Sequence, residues 1–397
     1  MDSLCIRCKG KGLCGQPCKI LSRFIDNSPK PTLHFSGKSS PEIFVGRVGY
    51  PTVNSGILAP SENDNVSNFA TAEEWSKNNF SIANVLRLRG QLIYGKSVSN
   101  IKIPDKIKQI TQELALSSKP VLTEVFLKKK PTLEFTSSSV FMPMTNPAPI
   151  KRAILEENPK VSKRVDYITS DSDIKAVDAI TELYNSKSKV DHLQKLLSIG
   201  LLGKKANRRM VPTRWSITAT DDIISKNQLE KIRYYPKINN IMVLSGNFLG
   251  NYIEALLLPA NFSFEVIEAW ISGNVYVSKT EFSSDYEGFN GRKSYATNVT
   301  GGYYASRIAT TEYLEKIKRQ AAVFILREIR PEYYAPLGVG IVRETARRTF
   351  AASPKYFDSI EDAFKDIQSR LTISIEKIKQ DSWLLNNYNK QRTLDQF

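Results

Sequence analysis

Between Ile238 and Lys279 apolar and polar residues alternate in short runs, INNIMVLSGNFLGNYIEALLLP, SFEVIEAW and NVYVSK. A period of two sends successive side chains to opposite faces of a pleated backbone, so these runs predict strands. Two earlier strands are predicted near Glu42–Val48 and Val53–Leu58, where apolar runs lie between Gly and Pro turn signals. Helical spacing marks Ile174–Tyr184 and Lys189–Ile199. It returns after Gly301-Gly302, where Leu314, Ile317, Ala321 and Phe324 would share one face of a helix running to about Arg327. Residues Arg327 to Arg348 read as a loop, a short strand and the start of a helix. A last helix is expected over Ile360–Lys379, with Ile360, Phe364, Ile367, Leu371, Ile375 and Ile378 inward and Ser359 with Asp362 as a capping-box-like start. Strands and helices that mix without a strict βαβ rhythm predict an α+β fold, a mixed sheet core with packed helices. No internal repeat is visible, and residues 100–200 carry the weakest pattern.

Composition changes this picture in one respect. The hydrophobic fraction of 41% and aromatic fraction of 10% suit a globular chain, but Lys and Arg exceed Asp and Glu to give a net charge of +16. That excess fits phosphate-bearing partners, or simply a basic surface. Basic clusters at Lys128-Lys129-Lys130, Lys204-Lys205 and Arg208-Arg209 carry the same two readings. The start, MDSLCIRCKG, lacks a secretory apolar run, and no stretch approaches the ~20 apolar residues that span a bilayer. A cytoplasmic protein without a membrane partner is expected.

All four cysteines, Cys5, Cys8, Cys14 and Cys18, lie in CIRCKGKGLCGQPC at a C-x2-C-x5-C-x3-C spacing. In a reducing compartment such clustering points to metal before disulfides. Four thiolates close a tetrahedron around Zn2+ with no open position, so the ion would be structural; an iron–sulfur cluster is the alternative. Gly10, Gly12 and Gly15 within this loop spell G-x-G-x-x-G, but no strand precedes them, so they form no dinucleotide fingerprint. Gly37-Lys38-Ser39 is likewise no P-loop, because Thr32 replaces the first glycine and Pro41 blocks the helix that should follow.

A set of Gly- or Pro-containing motifs, read as loops and including Val211–Asp222, brings arginine, tyrosine and acids: Arg47 and Tyr50; Arg214, Trp215, Asp221 and Asp222; Glu287, Arg292 and Tyr303; Arg307, Arg343 and Glu344. Ser36, Thr213 and Ser216 add hydroxyls. The planar guanidinium fork suits phosphate, and Tyr or Trp stacks on a base. If the segments converge they build a nucleotide-sized pocket. The competing reading is structural, with these arginines bridging carbonyls or the carboxylates of Glu287 and Glu344. Two histidines, His34 and His192, leave little room for histidine chemistry. A two-metal nuclease would need clustered carboxylates, and the sequence offers only Asp221-Asp222 and scattered acids.

Near the carboxyl terminus, KQRTLDQF spaces Gln391, Leu394 and Phe397 by three, so one 3₁₀ turn would put all three on a single face. A polar hook with an apolar plug is a short-peptide recognition mode. Q-x-x-L-x-x-F resembles the PCNA-interacting peptide, with one terminal aromatic where longer versions carry two. The body is similarly distinctive. FSGKSSPEIFVGRVGYP, VPTRWSITATDD, YEGFNGRKSYATNVTGGYYASR and REIRPEYYAPLGVGIVRE together resemble the archaeal Nre family over nearly the whole chain, with residues 60–205 matching least. That resemblance implies a DNA-repair factor, nucleoid-associated in the cytoplasm, that binds the PCNA sliding clamp through its carboxyl terminus.

The expected organisation is a four-cysteine zinc-binding module over 1–25, an α+β core over 26–380, and a flexible tail over 381–397. Three functions remain open. One is a nucleotide-acting enzyme that cleaves a phosphate or N-glycosidic bond, with Asp221, Asp222 and Glu287 as catalytic candidates; in the N-glycosidic form arginines hold the 5′-phosphate, phosphate or water attacks the ribose, and Asp221 or Asp222 protonates the leaving purine. The others are a DNA nuclease or DNA-binding repair factor, and a clamp-bound adaptor without chemistry.

Overall fold

The structure, a computed structural model, describes residues 18–39, 42–60, 71–136, 144–274 and 277–388. Where the sequence pattern gives one core over 26–380, the chain forms two compact units, each with its own six-stranded sheet. The first runs to Ile224 and includes Ala335–Gly340; the second holds Ser225–Tyr334 and the residues from Ile341 on.

In unit one the strands are β1 (His34–Ser39), β2 (Glu42–Val45), β3 (Thr52–Pro60), β4 (Leu92–Asn100), β5 (Val121–Leu127) and β8 (Pro147–Leu155), in the order β1-β5-β8-β4-β3-β2. A two-stranded ribbon of β6 (Phe135–Thr136) and β7 (Met144–Thr145) lies between β5 and β8 in the chain. Only β4 and β8 pair in parallel; the other neighbours are antiparallel. Alternation does what the pleat requires. Val121, Thr123, Val125 and Leu127 are buried while Leu122, Glu124 and Phe126 face outward. Ile57, Ile93, Val125 and Ile150 form one apolar face, packed against Leu114 of helix Lys106–Leu116. The helices expected at Ile174–Tyr184 and Lys189–Ile199 are Ala176–Asn185 and Val190–Ser198.

Unit two orders its sheet β12-β11-β13-β10-β9-β14, with β9 (Ile241–Phe248), β10 (Asn251–Leu258), β11 (Ser263–Trp270), β12 (Glu281–Glu287), β13 (Ala322–Ile329) and β14 (Lys355–Phe357). The β11–β13 pair is parallel, so this sheet is mixed as well. Leu249 and Gly250, both at positive φ, make the two-residue turn that joins β9 to β10. One sheet face packs Ile253, Leu257, Val266 and Ile325 against Leu229, Tyr303 and Leu314 from helices. The other packs Leu256, Ile267, Phe324 and Leu326 against Phe364, Ile367, Ile378 and Leu384. A strand covered on both faces loses its alternation, and β13 is buried at all eight positions.

Several boundaries differ from the pattern. The helix from Gly301 stops at Ile317, where Lys318 takes a left-handed conformation, so Ala321 and Phe324 belong to the turn and to β13 instead. Val211–Asp222 is no loop: Pro212 precedes a 20-residue helix, Thr213–Ile232. Between Arg327 and Arg348 the loop and the helix start occur as expected, the latter as helix Val339–Ala351, but no strand lies between the end of β13 and that helix. Ile360–Lys379 is two helices, Ile360–Gln368 and Ile375–Asp381, with Ser359 Oγ accepting from the amide of Asp362 as expected. Val277–Lys279 of NVYVSK lie outside any strand, whereas β12 was not foreseen.

Candidate functional sites

The carboxyl-terminal segment reads as a helix, Trp383–Tyr388, held on unit two by a buried carboxylate. Glu265 of β11 accepts from Ser382 Oγ, from the Trp383 amide at 3.0 Å and from the Leu384 amide at 2.9 Å. These are amides that a helix start leaves without an intrahelical partner. Burial raises the Glu265 pKa against the pull of those donors. Tyr286, the cross-strand neighbour of Glu265, stacks on Trp383 at 4.5 Å between ring centroids. Gln391, Leu394 and Phe397 lie beyond the described residues.

At the other end, Cys18 caps helix Lys19–Ile25, its Sγ accepting from the Leu21 amide at 3.3 Å. A sulfur held as an acceptor at a helix start is compatible with a thiolate ligand, and four thiols suit a soft ion. Cys5, Cys8 and Cys14 lie outside the described residues, among which no metal-ligand cluster occurs. Ile20 and Phe24 of this helix are buried. The backbone of Phe24 approaches Gly90 closely, so within unit one this helix packs on helix Ile82–Gly90.

Within unit one the structure brings four of the expected residues to one region. The turn after β2 places Arg47, Val48 and Tyr50 in solvent, closed by Thr52 donating to the Gly49 carbonyl at 2.9 Å. Thr213 Oγ1 accepts from the Val45 amide at 2.9 Å, which ties this strand end to the start of the long helix. There Trp215, 47% exposed, meets the ring of Tyr50, 42% exposed, at 5.9 Å, with Arg214 half-buried beside it in sequence. Ser216 is buried and donates to the Thr213 carbonyl. Ser36 lies apart on β1 and donates to Glu156 at 2.9 Å. Further along the same helix, Asp221 is fully buried and accepts from Gln194 at 3.2 Å, while Asp222 is half-buried.

Unit two gathers the remaining set around β12. Asp285 and Glu287, two residues apart on one strand, share the inward face. Asp285 accepts from the Asn298 and Val299 amides at 3.0 and 2.7 Å and pairs with Arg292 at 3.1 Å. Arg292 also donates to the carbonyls of Tyr286, Ser294 and Tyr295, so its guanidinium staples a loop. Glu287 Oε2 accepts from Arg307 Nη1 at 3.0 Å, and Arg307 Nε donates to Ser225 Oγ at 3.1 Å. Both members of the ion pair are buried. The Arg307 guanidinium also lies 5.5 Å from the rings of Tyr303 and Tyr304. Burial, and then the charge of Glu287, pushes the Tyr303 phenol well above its ordinary range. Neither Tyr303 Oη nor Glu287 Oε1 has a well-formed hydrogen bond among the described residues. At Gly302, in the first turn of helix Gly301–Ile317, a Cβ would meet Glu268 Oε1 at 2.4 Å, so any side chain there would displace that carboxylate. Arg343 is buried on helix Val339–Ala351, and Glu344 pairs with Arg347 at 2.8 Å. The arrangement can hold a proton on Tyr303 beside an ionisable carboxylate, which is the raw material of acid–base chemistry and equally of a buried scaffold. Sequence reasoning missed Glu265, Asp285 and Ser225. For Asp285, the two-residue step to Glu287 was the available signal.

The family model described as "Archaeal Nre, N-terminal" matches residues 13–277 and "Archaeal Nre, C-terminal" matches residues 287–397. Among curated proteins, the chain is 35% identical to "DNA repair protein NreB" of Archaeoglobus fulgidus over 99% of both chains. It is 34% identical to "DNA repair protein NreA" of the same organism, over 96% of this chain and 95% of the relative. Identity to "DNA repair protein NreA" of Haloferax volcanii is 33%, over 87% of this chain and 85% of the relative. No solved structure matches. Two family models in order and relatives at these identities along nearly the full length leave one conclusion: the chain belongs to the archaeal Nre family.

Proposed function

We propose that this protein is a DNA-repair factor recruited to the PCNA sliding clamp through Gln391, Leu394 and Phe397. The observation that carries the reading is a pairing of two signals. Relatives matched along the chain bear the name DNA repair protein, and a clamp-peptide pattern begins three residues after Tyr388, the end of a helix anchored by Glu265 and Tyr286. Titration calorimetry of the full chain against an archaeal clamp tests it. Phe397→Ala should weaken binding at least tenfold, because the plug is the largest apolar anchor of so short a peptide. Equal affinity of wild type and variant would refute clamp recruitment.

The nucleotide reading is supported by the exposed set in unit one, where Arg47 and Arg214 accompany the Tyr50–Trp215 ring contact. Guanidinium groups beside stackable rings suit a nucleotide phosphate and base. In its enzymatic form, phosphate or water attacks the ribose carbon, the N-glycosidic bond breaks, and an acid delivers a proton to the departing base. Incubation with AMP, ATP, NAD and short DNA, with and without inorganic phosphate, read by mass spectrometry beside Arg214→Ala, tests this form. Product from wild type alone supports the enzyme; ligand binding without product supports an adaptor. The four cysteines would hold structural zinc, tested by metal analysis of wild type and Cys5→Ser.

A further inference from the structure

The outward face of the unit-one sheet carries a feature that neither reading uses. Register sets His34 of β1 opposite Phe126 of β5, and Phe126 opposite Arg152 of β8. The three side chains form a layered stack. The His34 ring lies on Phe126 at 4.4 Å and 22°, and the Arg152 guanidinium lies over the same ring at 4.2 Å. His34 and Arg152 are exposed, the former with half its side chain in solvent. One step along the strands, about 7 Å away, a second outward row follows. It holds Lys96, paired with Pro149, and Lys128, whose amide donates to the Pro149 carbonyl. A bulge between Phe126 and Leu127 in the β5–β8 register leaves Lys151 as an extra exposed residue between the rows. Lys129 and Lys130 continue into solvent from Lys128. Towards the other end of the strands Glu124 is engaged by His34 at 2.8 Å and Glu156 by Ser36, while exposed Glu134 follows the lysine run and offsets one of its charges.

We infer that this face binds single-stranded DNA. The free face of the exposed His34 ring takes a base by stacking, which needs the base unpaired, and the flanking ammonium groups track the phosphate backbone. His34 belongs to the edge strand β1, so the outer face of the stack is open at the sheet margin. Charge complementarity identifies the occupant as a polyanion, since Lys96, Lys128, Lys129, Lys130, Lys151 and Arg152 all lie within or beside two adjacent rows. The choice of DNA over RNA rests on the DNA-repair reading; the surface itself does not depend on the clamp peptide.

Fluorescence anisotropy of the full chain with labelled oligo-dT, duplex of equal length and oligo-rU, over a salt series, tests the inference. Wild type should bind oligo-dT at least fivefold more tightly than the duplex and than oligo-rU. The triple variant Lys128→Ala, Lys129→Ala, Lys130→Ala should reduce the log–log salt slope by about 2, from ~0.7 per lost phosphate contact on single strands. His34→Ala and Arg152→Ala, both exposed and tolerable to the fold, should each weaken oligo-dT binding about fivefold or more. Phe397→Ala should leave this binding unchanged, so failure here and failure of clamp recruitment are separable. Unchanged affinity and slope in the lysine and His34 variants would overturn the surface. Duplex bound as tightly as oligo-dT would overturn the stacking assignment, and preference for oligo-rU would overturn DNA.

Discussion

Replacing Glu287 by alanine leaves the Arg307 guanidinium buried without its carboxylate. Removing one member of a buried ion pair costs ~3–5 kcal/mol, mostly the penalty of the stranded charge rather than the worth of the pair. Arg307 retains Ser225 Oγ at 3.1 Å, so the cost should fall near the lower end, about 3 kcal/mol. Glu287→Gln removes the charge but keeps an oxygen for Arg307 Nη1, and its amide would face Tyr303 Oη; a loss of about 1–2 kcal/mol is expected. The paired change Glu287→Leu with Arg307→Met should return to within about 1 kcal/mol of wild type, because it strands no charge. Amide hydrogen exchange on β12 and helix Gly301–Ile317 measures each value locally, which a chain of two units requires. About 3 kcal/mol appears as a hundredfold or greater loss of protection. A Glu287→Ala variant within 1 kcal/mol of wild type, or a Gln variant as costly as the Ala variant, would refute the buried-pair account. The Gln variant has a second use: product formation lost while exchange protection stays near wild type would mark the carboxylate as chemical rather than structural.

Other outcomes follow from the same kind of accounting. Glu265→Ala should free helix Trp383–Tyr388, seen as loss of amide protection over those residues alone, since two amides and the Ser382 hydroxyl lose their acceptor. His192, with Nε2 2.8 Å from the Ala115 carbonyl, has its pKa pulled down to about 4 by burial. The unfolded chain therefore takes up its proton first as pH falls, near 6.5, and stability should decline between pH 6.5 and 4 by at most about 3 kcal/mol. His192→Gln should flatten that part of the unfolding curve, and an unchanged slope would sink the assignment. If the four cysteines hold zinc as proposed, chelation should destabilise helix Lys19–Ile25, read as faster exchange at its amides, with Cys18→Ser reproducing the effect.

How much of this was legible depends on how many faces an element buries. The strands β2 and β3, with Gly and Pro on their flanks, and the β9–β10 hairpin were readable because turn chemistry fixed their ends. The overrun of the helix after Gly301 has the opposite cause. An eight-residue strand buried on both faces is a continuous apolar run, and Phe324 fits a helical period as well as a strand. The long helix at Thr213 was hidden by its content, since Thr, Ser and Asp dominate its first turns, although Pro212 is a start signal. Division into two units was not legible, because both sheets use the same apolar residues and contacts between distant strands leave no local mark. Site residues followed the same logic. Arg47, Tyr50, Arg214 and Trp215 were nominated as polar and aromatic groups near turns, and the fold gathers them in one region of unit one. Glu265 and the His34–Phe126–Arg152 stack were invisible because strand register, rather than spacing, creates them.

The Glu265 anchor sets a length. Between Tyr388, the last residue of the held helix, and Gln391 there are three peptide links, which span at most about 11 Å when fully extended. A protein bound to a ring through Gln391, Leu394 and Phe397 would therefore ride against it on a short strut, not roam at the end of a long leash. A strut trades search volume for a fixed bearing: the local concentration of unit two at the ring is high, but only in the directions that a three-link connection permits. Cutting the anchor at Glu265 would lengthen the tether by the whole helix and leave the grip itself intact.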